Sequence, residues 1–306
     1  MRKLVLLCAS LCSIVLLFAA SPVQAQSVLW VAANGADANV CSQTAPCLTF
    51  QGAINKGSVS QINCLTSGNY GPVLITASIT IDCGTGNVGT VSATGSSNSA
   101  ITINANSAAN IVLRHLSLNG NNSAFAGIST ILFASGALII EDCTIQGFMG
   151  DGIFFRPTTG RGLLQVSDSR IFNSANGIDV APSNQIASVT LNRIEVTGNS
   201  HDGLFLDQGV IAGTMRDSVI AGNGDFGVIA QAVQVFFTVE ESSIVANLTA
   251  GIQTDSAGTV VNVGASTIGG NGTGVLPSSG SLISFGDNHM SANGTDGNFT
   301  STKALR

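Results

Sequence analysis

Charge is scarce in this chain. Only 9 % of its 306 residues are Asp, Glu, Lys or Arg, and of its eleven basic residues the nine after Arg2 and Lys3 are scattered singly. So thin and dispersed a basic set excludes the positive patch that a nucleic-acid partner requires. Long apolar runs are missing too: beyond Leu4–Ala20 no stretch has 18 consecutive apolar residues, so nothing else in the chain has the length to span a bilayer. Gly, Ser, Asn and Thr carry the polar weight, a composition that goes with disorder when hydrophobic content is low. Here 44 % of residues are hydrophobic, so those polar residues are turns and solvent faces of a folded chain.

The one apolar run follows Arg2 and Lys3 and precedes Val23-Gln24-Ala25, the three parts of a secretory signal peptide over residues 1–25. Neither Cys8 nor Cys12 follows the small residue that precedes a lipidated cysteine. A soluble protein, secreted or periplasmic, is expected. Losing Arg2 and Lys3 takes the net charge from −6 to about −8.

From about residue 113 the chain repeats one pattern: a β-branched run, a polar pair, an Ile or Val, an Asn, then Gly before an aliphatic residue. The Gly recurs at Gly127, Gly152, Gly177, Gly203, Gly227, Gly251 and Gly274, at steps of 23 to 26 residues. Segments such as Leu138–Ile145, Leu164–Ile171 and Phe237–Ile244 alternate apolar and polar residues, the two-residue period of a strand. A repeat of this length made of short strands with no helical stretch is one coil of a parallel β-helix. Two inward ladders are expected: Ile145, Ile171, Val196, Ile220, Ile244, Ile268 and Met290 in one, and Ile153, Ile178, Leu204, Val228, Ile252 and Val275 in the other. Asn173, Asn199, Asn223, Asn247, Asn271 and Asn293 recur at the turn, where stacked amides pass hydrogen bonds from coil to coil. The Gly that follows is expected to permit a tight or positive-φ corner.

Ahead of the repeat, Val28–Val31 reads as a strand, and Thr49 N-caps a short helix over Phe50–Lys56 that ends at Gly57. That helix would cover the exposed first coil. The organisation is therefore 1–25 leader, 26–60 strand, disulfide loop and capping helix, 61–299 β-helix, and 300–306 a loose tail or poor cap. About ten coils stacked at ~4.8 Å make a rod on the order of 50 Å long. In an oxidising compartment Cys41 and Cys47 are placed to staple the loop before the helix, and Cys64 and Cys83 to join early coils; spacing alone leaves other pairings open. Cys143 is left over, in the slot that Ser169, Ser218, Ser242 and Ser266 fill in later coils, and is expected to be a buried structural thiol.

Trp30-Val31-Ala32-Ala33-Asn34-Gly35-Ala36-Asp37, Cys41 with Pro46-Cys47, Thr49-Phe50-Gln51-Gly52-Ala53-Ile54, and Ser67-Gly68-Asn69-Tyr70-Gly71 before Ile79-Thr80-Ile81 resemble exported bacterial right-handed parallel β-helix repeat proteins of the pectin-lyase-like superfamily. The resemblance covers nearly the whole mature chain. It implies an all-β, single-stranded right-handed parallel β-helix with a short N-terminal capping helix. It does not select an activity, because the superfamily holds polysaccharide lyases, glycoside hydrolases, uronan epimerases and members without enzymatic activity assigned to them.

Outward positions near the signature Gly form a stripe: Asp151, Asn176, Asp202 and Phe226 just before it; Phe154, Asp179, Phe205, Ile229 and Gln253 two residues after; Arg156, Asp207, Gln231 and Asp255 four after. Rings against the apolar face of a sugar and acids on its hydroxyls are how proteins grip carbohydrate. The Asp-Asp, Gly-His-Gly and Arg-Ile-Lys motifs of polygalacturonase-like hydrolases are missing, and Asp151 and Asp202 stand two coils apart, roughly 9–10 Å. Arg161, Arg170 and Arg193 show no pattern. Thr-x-Thr arrays of the ice-binding kind are not in register.

The reading is an exported, non-catalytic solenoid that binds polysaccharide, with a polysaccharide-active enzyme (pectate-lyase-like lyase, glycoside hydrolase or uronan epimerase) as the alternative. In the enzyme, Asp151, Asp179 and Asp202 are acid and base candidates, Arg156 stabilises charge, and Phe154, Phe205, Asp207 and Gln231 bind substrate. No metal ligands are assigned and no cofactor is expected, with Ca²⁺ entering only for lyase chemistry. A monomer without membrane contact is expected after the leader is removed.

Overall fold

Alternating apolar and polar residues form strands throughout. The computed structural model describes residues 27–84 and 86–303; the leader read at residues 1–25 lies outside them. The described strands pair in parallel in two arrays, of eighteen and ten strands. Each coil gives one strand to the smaller array, and the larger one wraps two faces, because long strands such as Ser99–Arg114 and Ala126–Glu141 bend across the corner between them. This is a three-faced parallel β-helix, closed by the right-handed crossovers that twisted parallel strands favour.

Register sets the core. Both expected ladders stand in line, residue opposite residue, through successive coils. Except for the partly buried Met290, their members are at most 1 % exposed. At ~1.5–3 kcal/mol for each buried aliphatic side chain, these stacks are the main source of stability.

Two columns of left-handed residues turn the corners, with φ between 47° and 72°: His115, Asp142, Asp168, Arg193, Asp217, Glu241 and Ala265 in one, Gly147, Asn173, Gly198, Gly222, Ala246, Gly270 and Ala292 in the other. Asn173 was expected among the stacked asparagines, and the structure corrects this. It takes the exposed left-handed corner, and Ser174 fills the stack position, donating its N–H to Asn199 Oδ1 at 3.0 Å. From Asn199 the stack is continuous through Asn223, Asn247 and Asn271 to Asn293. Each Nδ2 donates to the next Oδ1 at 2.9–3.0 Å, and each backbone N–H donates to the same oxygen.

The signature glycines also answer to a constraint other than the one expected. None of them has a positive φ. A Cβ on Gly203 would lie 2.4 Å from Ile220 Cγ2 and 2.7 Å from Gly227 O, and one on Gly177 only 2.2 Å from Val196 Cγ1. Glycine is required because one aliphatic ladder and the carbonyl of the next coil close over it.

At the N-terminal end Ser27–Val31 pairs with Val59–Cys64, so the first strand is already a coil. The helix runs Phe50–Ile54, shorter than expected, with Thr49 Oγ1 accepting from Gly52 N–H at 2.8 Å. Asp37 organises this cap: Oδ1 accepts from Leu48 and Thr49 N–H and Oδ2 from the Thr49 hydroxyl. Disulfides join Cys41 to Cys47 and Cys64 to Cys83. Cys143 is a buried free thiol, pushed up to about 12 by burial and so unreactive. At the other end the tail is not loose as far as it is described: Ser301–Thr302 pairs with the strand Thr273–Ser284, and Phe299 packs on the core.

Two of the arginines read as patternless are ion-paired from coil to coil. Arg170 meets Glu195 at 2.9 Å and Arg193 grips both oxygens of Asp168 at 2.6 and 2.7 Å; Arg114 with Glu141 and Arg216 with Glu241 repeat the arrangement.

Candidate functional site

Parallel pairing puts Phe154, Asp179, Phe205, Ile229, Gln253 and Leu276 in one outward row. Neighbours in that row are about 4.8 Å apart, so the Asp179 side chain stands between the half-buried rings of Phe154 and Phe205. The residues before the signature glycines form a parallel row, in which the carbonyls of Asp151, Asn176, Asp202 and Phe226 accept from Gly127, Gly152, Gly177 and Gly203 N–H.

The Asn176 side chain links the Asp151 carboxylate to the Asp202 backbone in that second row. Asn176 Nδ2 donates to Asp151 Oδ1 at 2.9 Å, Asn176 Oδ1 accepts from Asp202 N–H at 3.2 Å, and Asp202 Oδ1 accepts from Phe226 N–H at 3.1 Å. Asp151, Asp179 and Asp202 keep only 8, 9 and 9 % exposure. Burial, opposed by the Asn176 amide and the charge of His201, raises Asp151 to about 6. Burial likewise raises Asp202 to about 6, against the Phe226 N–H and His201. Asp179 goes furthest, to about 8, through burial first and then the charges of Asp151, Asp207 and Asp202. Its Oδ1 is closed to solvent and has no hydrogen-bond partner. Asp179 is thus a neutral carboxylic acid at neutral pH, held between two rings.

The three aspartates picked from sequence therefore share one cluster. Arg156 is not one of the charges acting on them: it is exposed, and its Nε donates to Ser183 Oγ at 2.6 Å. Asp207 and Gln231 hold each other, Nε2 to Oδ1 at 3.2 Å. Asn176, placed from sequence in the same row and given no role there, is the bridge between Asp151 and Asp202; its place before the signature Gly was the available signal. Thr130, which accepts from Arg156 N–H at 2.6 Å, carried no such signal. Among the described residues no three His, Cys, Asp or Glu side chains are grouped so as to hold a metal ion.

Residues 131–293 match the family model described as a right handed beta helix region. The chain belongs to the right-handed β-helix family. This β-helix protein also superposes on the crystal structure of pectate lyase Pel9A with a TM-score of 0.69 at 15 % identity, over 92 % of this chain and 79 % of that one. The A-module of mannuronan C-5 epimerase AlgE4 from Azotobacter vinelandii matches more loosely, with a TM-score of 0.40 at 15 % identity over 81 % of this chain and 91 % of that one. At these identities the likeness is one of fold. No curated protein sequence matches it. Among the described residues no helix is long and apolar enough to cross a membrane.

Proposed function

We propose that this β-helix protein is an exported polysaccharide-binding solenoid that grips sugar on the Phe154–Asp179–Phe205 stripe. One observation carries the reading: a buried acid with an unpartnered oxygen stands between two outward rings. A buried polar atom without a partner costs ~1–3 kcal/mol, which a sugar hydroxyl would recover by moving aside the rings that cover the Asp179 carboxyl group and stacking its apolar face on them. Sharing its fold with a pectate lyase supports polysaccharide as the ligand class, and two disulfides support an oxidising, extracytoplasmic site. Retention of the mature protein on a panel of acidic and neutral polysaccharides tests it. Phe154→Ala and Phe205→Ala should each weaken retention by about tenfold, or ~1.4 kcal/mol; variants that fold and are retained unchanged would refute the stripe.

A second reading, glycoside hydrolysis, is favoured by the balance between Asp151 and Asp202, both raised to about 6 and linked by Asn176. Near that pH each is about half protonated, so a share of the molecules holds one acid and one base, as an acid–base pair requires. Their separation of roughly 9–10 Å lies at the outer edge of the ~6.5–9.5 Å used by inverting enzymes. Reducing ends released near pH 6 and lost in Asp202→Asn would establish hydrolysis; retention without products would leave binding alone.

A further inference from the structure

The acids of this stripe outnumber the cations near them, and this bears on which glycan the proposed carbohydrate site takes. Asp151, Asp179, Asp202 and Asp207 come from three successive coils, and the other three act on Asp179. The charged groups facing them are His201, beside Asp151 and Asp202, and a further acid, Asp225, beside Asp202; Arg156 is tied to Ser183. A uronate polymer would add a carboxylate at every sugar to this surface, against which a single exposed histidine offers little. A neutral glycan would give the buried Asp179 Oδ1 its missing donor and leave the repulsion among the acids in place. A sugar ammonium supplies the donor and the positive charge together.

Resting on the carbohydrate reading above, we propose that the Asp151–Asp179–Asp202–Asp207 cluster selects a polysaccharide with free amino groups, a polymer of glucosamine type, over neutral and uronate polymers. One sugar lies between Phe154 and Phe205 with its ammonium on Asp179, and the chain runs along the row, toward Asp207 and Gln231. Placing a cation there converts the Asp179 carboxylic acid to carboxylate, and the proton passes to the buffer. Binding is therefore accompanied by proton release, and the share that comes from Asp179, over what Asp151 and Asp202 lose beside any polycation, disappears when Asp179 cannot ionise.

Titration calorimetry of the full mature protein tests this at pH 6 and physiological salt, with a glucosamine hexamer, its N-acetylated counterpart and a galacturonate hexamer, each in two buffers of different ionisation enthalpy. The glucosamine hexamer should bind at least about tenfold more tightly than the N-acetylated one, with proton release, and the galacturonate hexamer should not bind. Asp179→Asn, shown by its melting curve to be folded, should lose about tenfold of the amine affinity and the Asp179 share of the proton release. Glu195→Gln, whose carboxylate is ion-paired with Arg170, should change neither. Galacturonate binding as tight as glucosamine, or an Asp179→Asn variant binding the amine unchanged, would overturn amine selection and leave the carbohydrate reading standing. Failure of all three oligomers and of the polysaccharide panel would overturn both.

Discussion

Asp179 is the residue whose sequence neighbourhood says least about its behaviour. It is an ordinary aspartate in Gly177-Ile178-Asp179-Val180, two residues after a glycine, on the outward side of a three-residue strand. Its burial comes from Phe154 and Phe205, each a full coil away in sequence, and its repulsion from three acids on flanking coils. An acid that ionises near 8 when folded and near its ordinary 3.8 when unfolded binds a proton more readily in the native state. Stability therefore falls as pH rises from about 4 to 8, and Asp151 and Asp202 add the same sign up to about 6. The melting temperature should accordingly be lower at pH 8 than at pH 5. Asp179→Asn should flatten that slope and be the more stable protein at pH 8, on the order of a few kcal/mol; thermal unfolding of both proteins across this range checks it. Sequence placed Asp151, Asp179 and Asp202 on a common face because period and coil length suffice for that. It did not show that Asn176 bridges them or that Arg156 turns away to Ser183, since side-chain pairing across coils depends on rotamers and on offsets of a residue or two.

The turn that carries the asparagines shows the same limit within an element. A stack of buried amides was legible from the spacing, and the structure holds one from Asn199 to Asn293. Its first member was misplaced, because Asn173 and Ser174 are adjacent and both suit a turn; left-handed φ at Asn173 gives the stack position to Ser174. The two positions should respond differently to truncation. Asn223→Ala leaves the Asn199 N–H and Nδ2 without their acceptor and should cost at least ~2 kcal/mol. Asn173→Ala touches an exposed corner, of the kind Ala246 and Ala292 already occupy, and should cost about 1 kcal/mol or less. Urea denaturation of the two variants side by side measures the difference. The signature glycines carry a related lesson: their recurrence was plain, but their cause is a ladder side chain and a neighbouring carbonyl closing on the Cα, and contact between coils is invisible in a single repeat.

For the whole molecule, stability is built from coil-to-coil contacts, so each end depends on what closes it. The helix Phe50–Ile54, the Asp37 hydrogen bonds and both disulfides lie at the N-terminal end. A loop of the Cys64–Cys83 length contributes ~3 kcal/mol, and the shorter Cys41–Cys47 loop less. Reduction should therefore lower the melting temperature. It should also speed hydrogen exchange in the strands Ser27–Val31 and Ile79–Asp82 before it affects the coils around Ile220 and Ile244. Equal protection loss along the rod would show that the disulfides do not act locally.

By itself the sequence determined the parallel β-helix, its coil length, its two aliphatic ladders and its capping helix. Each of these follows from a pattern repeated at short range: a two-residue alternation within a strand and a return every 23 to 26 residues. Only the tertiary structure decided which acids meet, how deeply they are buried, and which arginines are spent on ion pairs with Glu195 and Asp168. The repeat brings these residues to the same face, but a carboxyl group's charge depends on what covers it, and at this site the cover is supplied by side chains one coil above and one coil below.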